Sequence, residues 1–371
     1  MIETNVTYDL EKLAGFFELK GTFASGEPFG SGHINDTFAL RTAEEDCPDY
    51  VLQRVNHQIF PDVPGVMDNI SRVTEHIRKK LEENGADEID RHVVTVVPAK
   101  DGKLYHKDEE GNFWRILVLV PDSKSYDIVT TEQQAFEGGK AFGQFQTQLA
   151  DLPGGPLVEI LPNFHNVVTR FATFEENIAK DPVGRVKSVE EEITFLRDRF
   201  EEMKTIHTLG QEGKIPVRVT HNDTKFNNVL LDSEDKALCV VDLDTIMPGY
   251  VHFDFGDSIR TTTNTGAEDD PNLDNISMNI KLFEAYTKGF LGETLDTLNE
   301  VEIEHLALSA KLLTYIMGLR FLTDYIDGDN YYKIAHKEHN IQRARAQFKL
   351  LKSMEEQFEE MQAIIRKIAG K

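Results

Sequence analysis

The stretch Thr220-His221-Asn222-Asp223-Thr224-Lys225-Phe226-Asn227-Asn228 decides the fold, because it places a histidine, an aspartate and an asparagine at a fixed spacing. It fits the pattern H-x-D-x-x-x-x-N. Further along the chain, an apolar run ends in Asp242-Leu243-Asp244. The pattern alone also fits a surface turn with a capping aspartate, but a predicted strand directly before Asp242 favours a site of chemistry. Three short apolar runs predict the strands of this β-rich island, at 217–219, 228–231 and 238–241.

These side chains are the groups that phosphoryl transfer requires. One carboxylate orients or deprotonates the attacking hydroxyl, while an amide oxygen and a second carboxylate hold Mg²⁺ against the nucleotide phosphates. We therefore predict that Asp223 is the base and that Asn228 and Asp242 are metal ligands, since hard oxygen ligands suit Mg²⁺. Lys225, two residues after the base, would stabilise the charge on the transferred phosphate, or it is a solvated surface lysine.

Two more groups of acids lie near this stretch. Asp244 follows Asp242 by two residues, so in an extended strand both carboxylates would point to the same side. Asp244 would then contact a second metal ion or the substrate, or only accept backbone hydrogen bonds. A literal Asp-Phe-Gly begins at Asp254, but it follows a Pro-Gly turn instead of an apolar strand. We therefore take Asp242 as the metal ligand and expect Asp254, Asp257 and Arg260 to form a supporting network of hydrogen bonds and ion pairs.

A glycine-rich loop, Phe29-Gly30-Ser31-Gly32-His33-Ile34-Asn35, lies between two predicted strands. Glycine lets the backbone approach phosphates closely, so Gly30 and Gly32 are candidate nucleotide contacts. A hairpin turn uses glycine too, and only the position of this loop N-terminal to the H-x-D island favours the nucleotide interpretation. His33 at the tip would donate a hydrogen bond to the substrate, or it is simply exposed.

The third predicted strand departs from the kinase pattern. Kinases place a lysine there to pair with the phosphates, whereas this chain has Gln53, followed by Arg54. If Gln53 replaces the lysine, the phosphate charge must be offset by Mg²⁺, Lys225 or Arg54.

Composition limits the partners. The 371 residues, 42.2 kDa, include 40 Lys and Arg against 64 Asp and Glu, a formal net charge of −24. Such a field repels polyanions and anionic bilayers, so we expect neither nucleic acid nor a membrane as a partner. An anionic ligand such as ATP must then bind with a metal ion in a local basic pocket. Two cysteines, Cys47 and Cys239, cannot form a disulfide framework and favour a reducing compartment.

The sequence also favours a cytoplasmic location. The first residues, MIETNVTYDLEK, lack the basic and apolar regions of a signal peptide. The run IleLeuValLeuVal at 116–120, taken as one of the longest apolar runs, is far too short to cross a bilayer.

Apolar periodicity predicts an N-terminal α+β lobe over about 1–120 and a larger, mostly helical lobe over about 121–371, with a hinge at 121–125. Ser188 and Glu191 fit a capping box at the start of one helix. The predicted strands of the first lobe are 37–40, 50–54, 92–97 and 113–118, and its predicted helix is about 64–83. The second lobe has helices marked by apolar residues from 189 to 203, 306 to 317 and 341 to 351.

Longer strings point to a family: GlyHisIleAsn at 32–35, ValThrHisAsnAspThrLys at 219–225, AspLeuAspThrIleMetProGly at 242–249, PheAspPheGlyAspSerIleArg at 253–260 and ArgPheLeu…AspTyr at 320–325. On these strings the chain resembles, over nearly its whole length, the aminoglycoside phosphotransferase and choline kinase family. Within that family it is similar to the bacterial N-acetylhexosamine 1-kinases. The resemblance implies an α+β, bilobal, protein-kinase-like fold with a largely helical C-terminal lobe.

The resemblance also implies an activity. The enzyme would use ATP and Mg²⁺ to phosphorylate the anomeric hydroxyl of N-acetylglucosamine or N-acetylgalactosamine. Asp223 would be the base and Asp242 the metal ligand, while His33, Arg320 and Tyr331 would bind the sugar. Read without the resemblance, Arg320 fits a surface ion pair and Tyr331 a packing aromatic. Two alternatives stay open: a kinase of another small alcohol, and an inactive nucleotide-binding sensor suggested by Gln53.

Overall fold

The computed structural model describes residues 8–30 and 34–370, and the chain divides into two units, residues 1–123 and 124–371. The first unit is built on an antiparallel sheet of six strands in its described part, in the order β1-β2-β3-β6-β4 with β5 paired to β6. Its elements are α1 Leu10–Ala14, β1 Phe23–Pro28, β2 Asp36–Thr42, β3 Tyr50–Val55, α2 Val63–Glu83, β4 Val96–Val97, β5 His106–Lys107 and β6 Phe113–Val118.

Side-chain alternation along β3 separates the two faces of this sheet. Tyr50 and Leu52 belong to a buried cluster with Trp114 and Ile116 of β6, packed against α1. Gln53 therefore points to the other face. The predicted helix at 64–83 is confirmed as α2, which begins where Asp62 accepts a hydrogen bond from the backbone N–H of Gly65.

The predicted strand over 92–97 is wrong for most of its length, because only Val96 and Val97 pair with β6. The backbone N–H groups of His92 and Val93 both donate to the carbonyl of Ile89, at the end of a 3₁₀ turn. Their hydrogen-bonding groups are thus used in the turn before the strand begins.

The second unit is mostly helical, with two small antiparallel hairpins, β7 with β10 and β8 with β9. Its elements are α3 Glu132–Gln148, α4 Val167–Lys180, α5 Glu190–Met203, α6 Thr205–Gln211, β7 Arg218–Thr220, β8 Val229–Leu231, β9 Ala237–Val240, β10 Met247–Gly249, α7 Val251–Thr262, α8 Ile280–Thr294, α9 Glu300–Glu304, α10 Leu306–Asp327, α11 His339–Glu356 and α12 Phe358–Ile368.

Helix α10 is the central helix of this unit and packs against α4, α7 and α11. By length and hydropathy it could span a membrane, a property that the sequence-based estimate of apolar runs overlooked. However, 83% of its most apolar stretch is buried inside the protein, as expected for a core helix.

The helix marked by apolar residues from 189 to 203 is present as α5, but the predicted capping box is wrong. Residues Val186–Val189 form a 3₁₀ turn, in which the Ser188 hydroxyl donates to the carbonyl of Arg185. The N-cap of α5 is Val189, with no side-chain hydrogen bond. The turn therefore uses the hydroxyl that the capping box required.

Candidate active site

The segment after β7 carries Asp223 on a tightly held turn. Asn222 has a left-handed backbone, φ 66°, which asparagine tolerates better than most residues. Its side-chain amide donates to the carbonyls of Thr220 and Thr245, both at 3.0 Å. Asn222 is buried, so these bonds are shielded from water and hold the backbone that presents the neighbouring Asp223.

Asp254, the first residue of the literal Asp-Phe-Gly, holds this turn from α7. It is fully buried, and its two carboxylate oxygens accept the backbone N–H groups of His221 at 2.9 Å and Asn222 at 2.8 Å. The amide of Gln146, on α3, donates to it at 2.6 Å. Burial raises the pKa of this carboxyl, and the hydrogen bonds that it accepts act in the opposite direction. Asp254 therefore acts as a clamp: it holds the backbone of residues 221–222 in the turn 221–223, the candidate catalytic turn, in agreement with the supporting network that we expected.

His221 connects the base segment to the second acidic segment. Its Nε2 is 2.9 Å from the carbonyl of Val241, and its Nδ1 accepts the backbone N–H of Asp223 at 3.3 Å. A proton on Nε2 satisfies both contacts. The imidazole thus links the backbone of Asp223 to that of Val241, the residue directly before Asp242.

A hydrogen bond fixes the orientation of the Asn228 amide. Its side-chain nitrogen donates to the carbonyl of Asp223 at 2.8 Å, which leaves Oδ1 as the acceptor atom. The backbone N–H of Val241 donates to the carbonyl of Asn228 at 2.9 Å, so this residue and Asp242 lie on adjacent segments. Asp242 is exposed.

The expectation of an extended strand through Asp242 and Asp244 is wrong. Strand β9 ends at Val240, Asp242 is left-handed with φ 60°, and Leu243–Thr245 forms a 3₁₀ turn. Aspartate tolerates the left-handed conformation, so the chain can turn directly after the strand. Alternation of faces does not apply to a turn, and Asp244 is buried, 3% exposed, while Asp242 is exposed.

Charges around Asp223 keep it ionised. The Lys225 ammonium lies 3.2 Å from its carboxylate. Burial raises the pKa of Asp223, but Lys225 and the other neighbouring cations more than offset this, and its pKa lies below the ordinary value. In return, the carboxylate raises the pKa of Lys225. At neutral pH the pair is therefore a carboxylate that can accept a proton and an ammonium that remains charged.

Arg260, on α7, organises the acids next to this pair. It is 3% exposed and binds Asp257 at 2.8 Å and Glu268 at 2.7 Å. Both carboxylates act electrostatically on Lys225 as well. Because Asp257 and Glu268 already share one guanidinium, they are partly neutralised before any ligand binds.

Arg320, on α10, lies among aromatic rings. Its guanidinium carbon is 5.1 Å from the ring centre of Phe164, 5.8 Å from that of Tyr331 and 5.5 Å from that of Tyr332. Among the described residues no carboxylate lies within ion-pair distance of it, so the surface ion pair considered from the sequence is absent. Burial lowers the pKa of Arg320, but Tyr332, Tyr331 and, to a smaller extent, Asp223 more than offset this, so that its pKa is raised.

Asp324 positions the tyrosines beside Arg320. Its carboxylate accepts the backbone N–H groups of Tyr331 at 2.8 Å and Tyr332 at 2.9 Å. Tyr331 itself is 60% exposed, so it is a surface aromatic and does not belong to the core.

Several side chains here carry no clear sequence signal. Arg170, on α4, donates through Nε and Nη2 to the carbonyl of Phe164. The Nε2 atom of His165 lies 3.0 Å from the carbonyl oxygen of Asn222, the residue directly before Asp223. Burial lowers the pKa of His165 to about 4, so it is neutral. His165 is separated from Asn222 by 57 positions, so only the tertiary fold brings these two residues together.

In the first unit, the glycine-rich loop connects β1 and β2. Gly30 has φ 79° and open space where a Cβ would stand, so glycine is required there by the backbone and not by crowding. Gly32 and His33 lie outside the described residues. Gln53 is held between Thr37 and Arg115, and the adjacent Arg54 is paired with Asp36 at 2.6 Å.

The structure brings five of the predicted residues together in the second unit. Asp223, Lys225, Asn228 and Asp242 lie together around the hairpins of the second unit, with Asp244 buried in the turn after Asp242. A carboxylate beside an ammonium, an amide oxygen and a second carboxylate are the groups that phosphoryl transfer uses, so the site fits a phosphotransferase.

The comparisons with known proteins agree with this class. Residues 25–279, more than half of the chain, match the phosphotransferase enzyme family APH, and the chain belongs to that family. This confirms the predicted α+β, bilobal, kinase-like fold and the coarser part of the predicted resemblance.

Solved structures show the same fold at low sequence identity. An aminoglycoside phosphotransferase from Alicyclobacillus acidocaldarius has a TM-score of 0.61 at 10% identity, with 97% of this chain and 100% of that chain covered. A choline kinase from Cryptosporidium parvum Iowa II has 0.54 at 14%, covering 96% and 94%. The amicoumacin kinase hAmiN, in complex with AMP-PNP, Ca²⁺ and Ami, has 0.56 at 13%, covering 94% of each chain.

Proposed function

We propose that the protein is an ATP-dependent kinase that phosphorylates the anomeric hydroxyl of an N-acetylhexosamine, N-acetylglucosamine or N-acetylgalactosamine, to give the sugar 1-phosphate. Family membership supports phosphoryl transfer, and one observation on the acceptor side supports a sugar. Arg320 is half-buried, and its guanidinium lies among three aromatic rings, within electrostatic reach of Asp223 and without a carboxylate at ion-pair distance among the described residues.

This charge distribution disfavours a cationic acceptor. Arg170 lies close enough to Arg320 for the two cations to act on each other. An ammonium group of choline or of an aminoglycoside would add a third positive charge there, while the acids nearby, Asp257 and Glu268, are bound to Arg260. A neutral sugar offers hydroxyl and acetamide oxygens, which a guanidinium can bind, and an apolar face, which Tyr331 and Tyr332 can cover.

The chemistry follows from the state of Asp223. Its carboxylate accepts the proton of the anomeric hydroxyl, whose oxygen attacks the γ-phosphorus of ATP. The bond from that phosphorus to the β–γ bridging oxygen breaks, and ADP leaves. The anomeric hydroxyl is more acidic than other sugar hydroxyls, so an ionised carboxylate suffices as base. Lys225 stabilises the negative charge on the transferred group.

The metal site is part of the proposal. Asn228 Oδ1 and the Asp242 carboxylate would hold Mg²⁺, which neutralises phosphate charge when bound. In the described ranges 8–30 and 34–370, no group of three or more His, Cys, Asp or Glu side chains is placed to hold a metal ion by itself. Two protein ligands fit an ion that keeps waters and shares the phosphates.

The first unit would bind the nucleotide through Gly30, Gly32 and Gln53. Support comes from the hairpin that contains the glycine loop and from hAmiN, whose structure contains AMP-PNP. His33 remains a proposed sugar contact, as does Asp244, which alternatively has a purely structural role.

The test measures ADP release with ATP and Mg²⁺ against N-acetylglucosamine, N-acetylgalactosamine, glucose, choline and kanamycin, with Asp223→Asn as the inactive control. The proposed function predicts turnover on an N-acetylhexosamine, abolished in the variant, and a phosphate ester that is acid-labile, as anomeric phosphates are. Turnover on choline or kanamycin alone would support the kinase activity and refute the proposal that the acceptor is a sugar. ATP binding without turnover on any acceptor would favour a nucleotide sensor.

A further inference from the structure

Three residues at directly opposed positions cross the sheet of the first unit. Thr37 on β2 faces Gln53 on β3, and Gln53 faces Arg115 on β6. Opposed residues of antiparallel strands point to the same face, so the three side chains form a row. The row lies next to the glycine loop, since Phe29 of the loop donates its backbone N–H to the carbonyl of Thr37 at 2.9 Å.

Arg115 is an unusual residue for its place in the fold. It stands within the strand Phe113–Val118, between the buried residues Trp114 and Ile116, and is itself 2% exposed. Burying a guanidinium costs free energy that an apolar side chain of similar size would not. Its position beside Met67 of α2 would suit an apolar residue.

Arg115 fixes the orientation of the Gln53 amide. Its Nε and Nη2 donate to the Oε1 atom of Gln53 at 2.9 and 2.7 Å. A flipped amide would point its NH₂ group at two N–H donors, so the observed orientation is strongly preferred. The Gln53 nitrogen then donates one N–H to Thr37 Oγ1 at 3.1 Å. Among the described residues, the second N–H of Gln53 has no hydrogen-bond acceptor.

We propose that this second N–H of Gln53 donates to a nucleotide phosphate oxygen, and that Arg115 is a positioning residue that orients and polarises the amide. The pair would do together what one strand lysine does in other kinases: place a donor backed by a positive charge beside the phosphates. A donor whose partner is a cation makes a stronger hydrogen bond to an anion. Arg54 does not take this role, because it points to the opposite face and pairs with Asp36. The inference rests on the proposed nucleotide binding by the first unit.

The test compares binding of ADP with Mg²⁺ and of adenosine, which has the same base and sugar but no phosphate. Calorimetry measures the affinity for ADP, and ligand-observed NMR measures the affinity for adenosine. Both are applied to the wild-type chain, Gln53→Leu, Arg115→Met and the double variant. Arg54→Met is the matched control, because it removes a cation from the same strand on the other face.

We expect Gln53→Leu and Arg115→Met each to weaken ADP binding about tenfold while adenosine binding changes less than about twofold. The double variant should bind ADP about as tightly as each single variant, because the two residues act as a unit. Arg54→Met should leave ADP binding unchanged. If Arg115→Met fails to fold, Arg115→Lys replaces it, because lysine keeps the charge but cannot bind Oε1 through two N–H groups.

Other outcomes overturn the inference. Unchanged ADP affinity in folded variants would do so, and so would a parallel loss of adenosine binding, which indicates a structural role alone. Additive effects in the double variant would refute the coupling. A wild-type chain that binds neither ligand would remove the proposed function as well, whereas wild-type binding of ADP with unaffected variants would refute this inference alone.

Discussion

Replacing Asp254 with asparagine tests whether this residue is a clamp or a metal ligand. In the structure its carboxylate accepts three hydrogen bonds, two from the backbone of the catalytic turn and one from Gln146. The most favourable asparagine orientation keeps the oxygen toward two of these donors and points its NH₂ group at the third. We therefore expect one buried N–H to lose its acceptor, and the other two hydrogen bonds to become weaker because their acceptor is now neutral.

The magnitude follows from those bonds. An unsatisfied buried donor costs about 1–3 kcal/mol, and each change from a charged to a neutral acceptor costs about 1 kcal/mol. Burial raises the pKa of Asp254, so removing the charge returns part of this loss. We expect a net destabilisation of about 2–3 kcal/mol, which lowers the Tm of a unit this size by about 5–10 °C. The turn should also shift, and kcat should fall at least about tenfold because Asp223 is attached to it.

The assay combines thermal unfolding with a Mg²⁺ titration of activity, and Asp242→Asn is the comparison. Asp242 is exposed in a turn, so its variant should keep the wild-type Tm and require more Mg²⁺. Asp254→Asn should lower the Tm and leave the Mg²⁺ requirement unchanged. The opposite pattern, an unchanged Tm with a higher Mg²⁺ requirement for Asp254→Asn, would refute the clamp and make the literal Asp-Phe-Gly the metal site.

Three further variants test the acceptor side and the base. In Lys225→Met the main cation beside Asp223 is lost and the effect of burial dominates, so the pKa of Asp223 should rise from its depressed value. The acid limb of the kcat/KM profile, measured from about pH 4 to 8, should therefore move to higher pH. An unmoved limb would contradict the pairing of Lys225 with Asp223. Asp324→Asn should release the loop of Tyr331 and raise the acceptor KM about tenfold, with the ATP KM unchanged in the same steady-state assay. Arg320→Gln should also raise the sugar KM about tenfold, and equal KM values in variant and wild type would exclude Arg320 from the acceptor site.

The local features of the fold were predictable, because they depend on nearby residues. Apolar spacing located α2, α10 and α11, and the short apolar runs located the hairpins around Asp223. The errors arose where the backbone leaves regular geometry. Ser188 fits a capping pattern but lies in a 3₁₀ turn, and Asp242 leaves the strand through a left-handed conformation.

The grouping of the candidate site residues was predictable from the sequence, but the side chains that support them were not. Asp223, Asn228 and Asp242 lie within one short stretch, so their spacing is visible in the sequence. Arg115 is separated from Gln53 by 62 residues, and a strand register must be known before the two can be paired. A single arginine inside an otherwise apolar strand was the one available signal, since such a residue is rarely buried without a partner.

In the second unit, the proposed phosphate-transfer residues and the proposed acceptor residues lie in separate parts of the chain, which has a consequence for redesign. The turn that presents Asp223, the Asp254 clamp and the proposed metal ligands all lie between residues 220 and 257, inside the matched family region that ends at 279. Arg320, Tyr331 and Tyr332 come later, on α10 and the loop after it. Under the proposed function, exchanging residues 317–340 between relatives as one cassette should change the alcohol that is phosphorylated and leave the proposed phosphate-transfer residues in place. Because Asp324 and Asn340 anchor the loop from within that cassette, the graft would carry its own support.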